Sequence, residues 1–265
     1  MNELDRLPIP LLEWYRDNAR ALPWRPAPGS RTLGDPYRVW VSEIMLQQTR
    51  VAAVLDYYQR FMAALPTVEA LAAVGEDRLM KLWQGLGYYN RARNLRKAAQ
   101  QITGECGGRF PDTYEGLLAL AGVGEYTAGA IASIAFGAPV PAVDGNVLRV
   151  VSRITGDEGD IARPETKKRM RSALQAVMPR QDPGDFNQAM MELGAMVCLP
   201  NGAPRCEACP AGGFCRARRE AMRTEITMAK IRMTKTGCST PSKMTPIVVC
   251  TLARRRTVPS SRRTA

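Results

Sequence analysis

Apolar residues recur at three- and four-residue spacing along most of this chain, and alternating strand patterns are nearly absent before residue 245. That period lays one apolar stripe along a helix and leaves its other face polar. It runs through 39–61, 79–86, 98–102, 114–120, 127–136, 146–154 and 186–198. Breakers fall between these stretches: Pro26-Ala27-Pro28-Gly29, Gly107-Gly108, Gly122-Val123-Gly124 and Pro183-Gly184. The pattern predicts an all-α fold. With 265 residues, one large core or two smaller ones can be buried.

Charge is divided unevenly. The chain carries a formal net charge of +12, which suggests an anionic partner. Residues 1–215 hold 24 Lys and Arg against 23 Asp and Glu, whereas 216–265 hold 13 against 2. Bulk charge therefore does not mark the folded part as a nucleic-acid binder, and motifs must do so. The residues from 218 on are rich in Thr, Ser, Arg and Lys and read as a basic, disordered tail. The first twenty residues contain no apolar run long enough for a secretory signal or a membrane span. No membrane partner is expected, and the location expected is cytoplasmic, with the nucleoid.

There are seven cysteines and no histidine. An odd count without a secretory signal argues against a disulfide framework. Without histidine there is no Ser-His-Asp or Cys-His catalysis and no His-ligated zinc. Any chemistry must come from carboxylates, Lys, Tyr, a free Cys or a cofactor. Cys198, Cys206, Cys209 and Cys215 form C-x7-C-x2-C-x5-C after a helical stretch, an all-sulfur ligand set for zinc or an iron–sulfur cluster. Only one short C-x2-C pair is present, and that inequality favours [4Fe–4S].

Leu120 to Ala128 joins two helical stretches through the turn Gly122-Val123-Gly124. Glycines there permit positive φ and close approach to a phosphate, which amides at the next helix start can bind without reading sequence. Glu43 lies in the apolar helical stretch V-W-V-S-E-I-M-L, where burial would keep it protonated as a general acid. Asp144 opens a D-G-N turn ahead of a helix and reads as its N-cap.

Together with these, five segments carry a resemblance: Leu22-Pro23-Trp24-Arg25; Trp40 through Thr49 (W-V-S-E-I-M-L-Q-Q-T); Gly85 through Leu95 (G-L-G-Y-Y-N-R-A-R-N-L); Val143-Asp144-Gly145-Asn146-Val147; and Phe186 through Ala195 (F-N-Q-A-M-M-E-L-G-A). From about Leu11 to Cys215 the chain resembles the endonuclease III superfamily of helix-hairpin-helix DNA glycosylases, and within it the MutY-type adenine DNA glycosylases. Two departures sit in turns: Ala121 where Pro is usual, and one extra residue in the first cysteine interval.

The resemblance implies two helical domains with a DNA-binding cleft between them. A six-helix barrel with the hairpin would span 32–138, and a cluster domain would combine 1–31 with 139–217. Lyases of the superfamily carry a lysine two residues after the second hairpin glycine, and its amine forms a Schiff base with the sugar. Tyr126 stands there, and a phenol forms no imine. The implied activity is monofunctional hydrolysis of adenine mispaired with 8-oxoguanine or guanine in double-stranded DNA, by a monomer.

By the same resemblance, Glu43 protonates the base and Asp144 steadies the cationic sugar, with Asn146 and Tyr126 in support. Gln48, Thr49, Leu86 and Tyr88 lie beside the gap left by the flipped base, Gly122, Val123 and Gly124 hold backbone phosphate, and Trp24, Arg25 and Gln188 border the base pocket. Alternatives are an endonuclease III-like glycosylase/lyase for oxidised pyrimidines, a non-catalytic binding module, and a thymine-excising mismatch glycosylase. MutY-type enzymes add a C-terminal β-rich domain for 8-oxoguanine. No pattern for it is legible after Cys215, so adenine excision with reduced preference for 8-oxoguanine is the expectation.

Overall fold

The computed structural model describes residues 3–30 and 32–221, and every described element is helical. The helices are α1 (Pro8–Asn18), α2 (Pro36–Leu46), α3 (Val51–Ala64), α4 (Val68–Ala73), α5 (Glu76–Trp83), α6 (Asn90–Glu105), α7 (Tyr114–Leu118), α8 (Glu125–Phe136), α9 (Gly145–Thr155), α10 (Pro164–Val177), α11 (Pro183–Glu192) and α12 (Arg216–Ala221). The first four residues of the expected tail, 218–221, belong to α12; the rest of it lies outside the described residues.

Apolar side chains collect into two cores. The first gathers α2 to α8 around Trp40, Phe61 and Trp83, each fully buried, and it takes in Leu22 and Trp24 from the N-terminal segment. The second joins α1, α9, α10 and α11 around Leu11, Tyr15 and Phe186, and Cys198, Cys209 and Cys215 pack against its edge. Met191 packs against both cores.

Helix ends obey local chemistry. Asp35 caps α2 by accepting from Arg38 N–H (3.0 Å), with Pro36 pre-set at the first helical position. Gly137 and Gly156, at φ +68° and +67°, close α8 and α9. The continuous period over 39–61 does not give one helix: it breaks at 47–50, where Gln48 takes φ +59°. Neither Gly nor Pro marks that break. Helices α1, α4, α10 and α12 fall outside the periodic stretches: α4 and α12 are only six residues long, and α10 buries little beyond Thr166, Met170 and Leu174, too sparse a stripe to show.

One close approach sets the path of the chain into α9. A Cβ on Gly129 of α8 would stand 2.8 Å from the Pro141 carbonyl oxygen, so glycine lets the 139–143 segment lie against α8. Buried Asn187 of α11 pins that segment by accepting from Ala142 N–H (3.0 Å) and donating to the Val140 carbonyl (2.8 Å) and Ser133 Oγ (2.8 Å). Asp144 is the next residue after the pinned segment.

Candidate active site

Helix α2 packs on α8, and that contact turns Glu43 inward, 6% exposed. Tyr126, one residue into α8, donates its hydroxyl to Glu43 Oε2 at 2.6 Å and lies 3.4 Å from Met191 Sδ. Burial pushes the Glu43 carboxyl up. The Tyr126 hydrogen bond and the Arg25 charge pull it back, Asp144 adds to the rise, and the balance is upward. Burial also raises the Tyr126 phenol well above its ordinary value, with Glu43 and Asp144 reinforcing the effect. The pair is a buried carboxyl, biased by burial toward its protonated form, and a phenol that donates to it through a short hydrogen bond.

Asp144 sits in the opposite environment. As N-cap of α9 its Oδ1 accepts from Val147 N–H (2.7 Å), and its Oδ2 accepts from Asn146 Nδ2 (2.8 Å). Asn146 is held in turn by Arg149, whose Nη2 donates to Asn146 Oδ1 (2.9 Å) and the Gly194 carbonyl (2.8 Å) and whose Nε donates to the Cys198 carbonyl (2.9 Å). A Cβ on Gly194 would meet Asn146 Cβ at 2.7 Å, so the π-helical turn Leu193–Val197 needs glycine at that crossing. Both oxygens thus accept hydrogen bonds at the start of α9, where the positive end of the helix lies. Asp144 is near enough to Glu43 to bear on it.

Gln48 and Tyr88 share an unusual backbone. With Asp182 they are the non-glycine residues at positive φ among those described (+59° and +48°), and both are exposed, Tyr88 by 65%. Arg91 ties their two turns together. Its Nη1 donates to the carbonyls of Ile44, Met45 and Gln47 (2.9, 3.1 and 2.6 Å), and its Nη2 to those of Leu86 and Gly87 (3.0 and 3.2 Å). Thr49 is half-buried beside Gln48, and Leu86 is buried beneath Tyr88. In the hairpin, Gly122 takes φ +74°, Val123 is buried and Gly124 is exposed ahead of α8.

Trp24 is buried edge-on against Tyr58, 4.9 Å between centroids. Arg25 donates through Nη1 to Glu192 Oε1 at 2.6 Å. Gln188 is buried on α11, one residue beyond Asn187.

Cys198, Cys206, Cys209 and Cys215 line one cavity of about 260 Å³. Arg153, itself buried, donates to Cys198 Sγ (3.2 Å) and to the Leu199 carbonyl (2.8 Å). Burial raises the thiols of Cys206, Cys209 and Cys215, that of Cys209 to about 11. Among the described residues no group of three or more Cys, Asp or Glu side chains is arranged to hold a single metal ion. No described helix is long and apolar enough to cross a membrane.

Four positioning side chains escape a reading of the sequence: Arg91, Arg149, Asn187 and Glu192. Asn187 and Glu192 stand inside the F-N-Q-A-M-M-E-L-G-A stretch and Arg91 inside G-L-G-Y-Y-N-R. Most of their partners are backbone groups and side chains far off in sequence, which no spacing rule exposes.

Residues 41–179 match the model of the HhH-GPD superfamily base excision DNA repair proteins. The chain is 45% identical over 220 residues to an adenine DNA glycosylase of Mus musculus; the match covers 82% of this chain and 42% of that protein. The chain thus spans less than half the length of this relative. Among solved structures, a thermostable thymine-DNA glycosylase superposes with a TM-score of 0.72 at 27% identity, covering 82% of this chain and 97% of that one. A trapped endonuclease III–DNA covalent intermediate, in its estranged-adenine complex, superposes at 0.67 with 25% identity, covering 84% and 100%.

Proposed function

Because this chain belongs to the HhH-GPD superfamily of base excision DNA repair proteins, we propose that it is a monofunctional glycosylase removing adenine mispaired with 8-oxoguanine or guanine. The observation that carries the reading is the short hydrogen bond from Tyr126 to buried Glu43. It sets a phenol, not an amine, beside the carboxyl, while burial supplies the raised carboxyl that a general acid requires.

Glu43 gives its proton to N7 of the flipped adenine. The C1′–N9 bond then breaks, and its electron pair leaves with the base. The sugar becomes an oxocarbenium ion, which the Asp144 carboxylate stabilises. Water adds to C1′ and Glu43, now ionised, takes its proton. Asn146 keeps Asp144 in place through the bond to Oδ2. Gln48 and Tyr88 fill the space the base leaves, Thr49 and Leu86 support them, and the 122–124 turn holds backbone phosphate. Arg25, Gln188 and Trp24 border the base.

In this reading the two cores underlie two domains, 32–138 and 139–217 with 1–31, Leu22 and Trp24 of the latter packing into the first core, and the monomer takes double-stranded DNA between them. Cys198, Cys206, Cys209 and Cys215 hold a [4Fe–4S] cluster. The all-sulfur donor set suits it. The thiols also ring a cavity, where a zinc ion would draw each sulfur to about 2.3 Å of one point. The cluster would supply a covalent brace for the 198–215 loop, whose Cys198 carbonyl anchors Arg149.

The test is single-turnover excision from A:8-oxoG, A:G and T:G duplexes, with Glu43→Gln as control and borohydride trapping alongside. Adenine release lost in the Gln variant, with no trapped adduct, is expected. A trapped adduct would point to a lyase, and thymine release to a thymine glycosylase.

A further inference from the structure

Glu192, the last residue of α11, is fully buried and faces two arginines at once. Arg20 binds it with Nε to Oε2 (2.7 Å) and Nη2 to Oε1 (2.9 Å), while Arg25 reaches Oε1 through Nη1 (2.6 Å). Burial opposes ionisation of Glu192, but the two arginines outweigh it and hold its carboxyl below the usual range. One buried carboxylate thus anchors two guanidinium groups. Two cations for one surface partner would be redundant; in a buried site the arrangement fixes where positive charge stands.

That position matters because Arg25 also bears on Glu43. The groups acting on Glu43 are Tyr126 of α8, Arg25 of the N-terminal segment and Asp144 at the cap of α9. Around the anchor lie Arg20 and Arg25, the Tyr15 hydroxyl and Asp185. Glu192 is not among the charges acting directly on Glu43. An arginine free to swing onto Glu43 would pair with its carboxylate and strip it of its proton. Met191, the preceding residue, touches Tyr126 from the same helix end, so the terminus of α11 braces the phenol bonded to Glu43 and anchors Arg25.

We infer that Glu192 is a positioning residue for base excision: its ion pairs with Arg20 and Arg25 hold the Arg25 guanidinium off the Glu43 carboxyl. The inference rests on Glu43 being the general acid only for its kinetic consequence; the placement of charge stands without it.

The experiment tracks the Glu43 side-chain carboxyl by ¹³C NMR titration in glutamate-labelled holoprotein, assigned with Glu43→Gln. It compares the parent, Glu192→Gln, Arg25→Gln and the double variant. Glu192→Gln should lower the Glu43 midpoint, Arg25→Gln should raise it, and the double variant should match Arg25→Gln. In single turnover the alkaline limb of adenine excision should move down with the midpoint, about tenfold in rate per pH unit above the limb. A merely structural role would reduce folded protein and leave the limb in place. If Glu192→Gln does not fold by circular dichroism, Arg25→Gln alone decides, and an unchanged midpoint overturns the proposal. So does the same fall in midpoint with Arg25 absent. Should the parent release no adenine, the functional reading fails while the titration still judges Glu192.

Discussion

In the proposed reading Asp144 does two jobs, helix cap and counter-charge to the sugar, and replacing it by Asn separates them. Asn caps helices about as well as Asp, and its Oδ1 can still accept from Val147 N–H, now at 2.7 Å. Two stabilising terms are lost. The charge at the start of α9 contributes about 0.3–1 kcal/mol. The Asn146 Nδ2 donation to Oδ2 becomes a meeting of two donors, costing about 1 kcal/mol, and Asn146 cannot simply flip because Arg149 holds its Oδ1 at 2.9 Å. Stability should fall by about 1–2 kcal/mol, a drop in Tm of about 5 °C for a chain of this size. The rate should suffer far more. A unit charge about 4 Å from the developing cation contributes about 4 kcal/mol at an effective dielectric near 20, roughly a thousandfold in rate. Asp144→Ala should lose a further ~1 kcal/mol of stability with the cap but little more rate. Melting curves and single-turnover excision of adenine measure the two effects. Asn within about tenfold of the parent, or rate losses that track stability across Asn and Ala, would refute the charge argument.

Glu43 sets the pH dependence. Its carboxyl is raised in the folded state, chiefly by burial, so its favourable contribution is complete below the unfolded value near ~4.3 and is lost as pH rises through the folded value. Glu43→Gln should therefore gain in Tm over the parent as pH rises above about 4, while losing excision. Tyr126→Phe removes a bond that favours the carboxylate, so the alkaline limb of excision should shift to higher pH, as pH–rate profiles would record. Cys209→Ser should lose the cluster and most soluble protein, where the parent carries about four irons and four sulfides per chain, as elemental and sulfide analysis would show; stoichiometric zinc in the parent would contradict this. Gln48→Gly relieves a left-handed residue at φ +59° and should raise stability by up to about 1 kcal/mol in thermal denaturation, yet slow excision from duplex DNA.

Much of the fold is legible because helices announce themselves locally. A period near 3.6 finds α5 and α9, and Asp144 is recognisable as a cap from the D-G-N turn alone. The break after α2 is not legible, since Gln47-Gln48-Thr49-Arg50 contains no breaker. What bends the chain there is Arg91, forty-odd residues on, collecting the carbonyls freed at the end of α2. The candidate acids are readable by resemblance and by helix position. The charges that tune them, Arg149 and Glu192, are not, because their partners lie 45 and 167 residues away in sequence.

The two carboxyls owe their different surroundings to different kinds of local structure. Glu43 is in the interior of a helix, where every backbone donor is spent and Tyr126 is the side chain that comes to meet it, so burial biases it toward its protonated form. Asp144 is at a helix start, where an unspent amide and Asn146 supply one donor to each oxygen. Each environment is local, but their meeting is not. It requires Gly129 to admit the 139–143 segment against α8 and Asn187 to pin it there. A side chain at Gly129 would push against the Pro141 carbonyl, not a flexible tip. It would displace Asp144 from Glu43 while leaving both carboxyls in their own environments, so the chemistry depends on that glycine as much as on either acid.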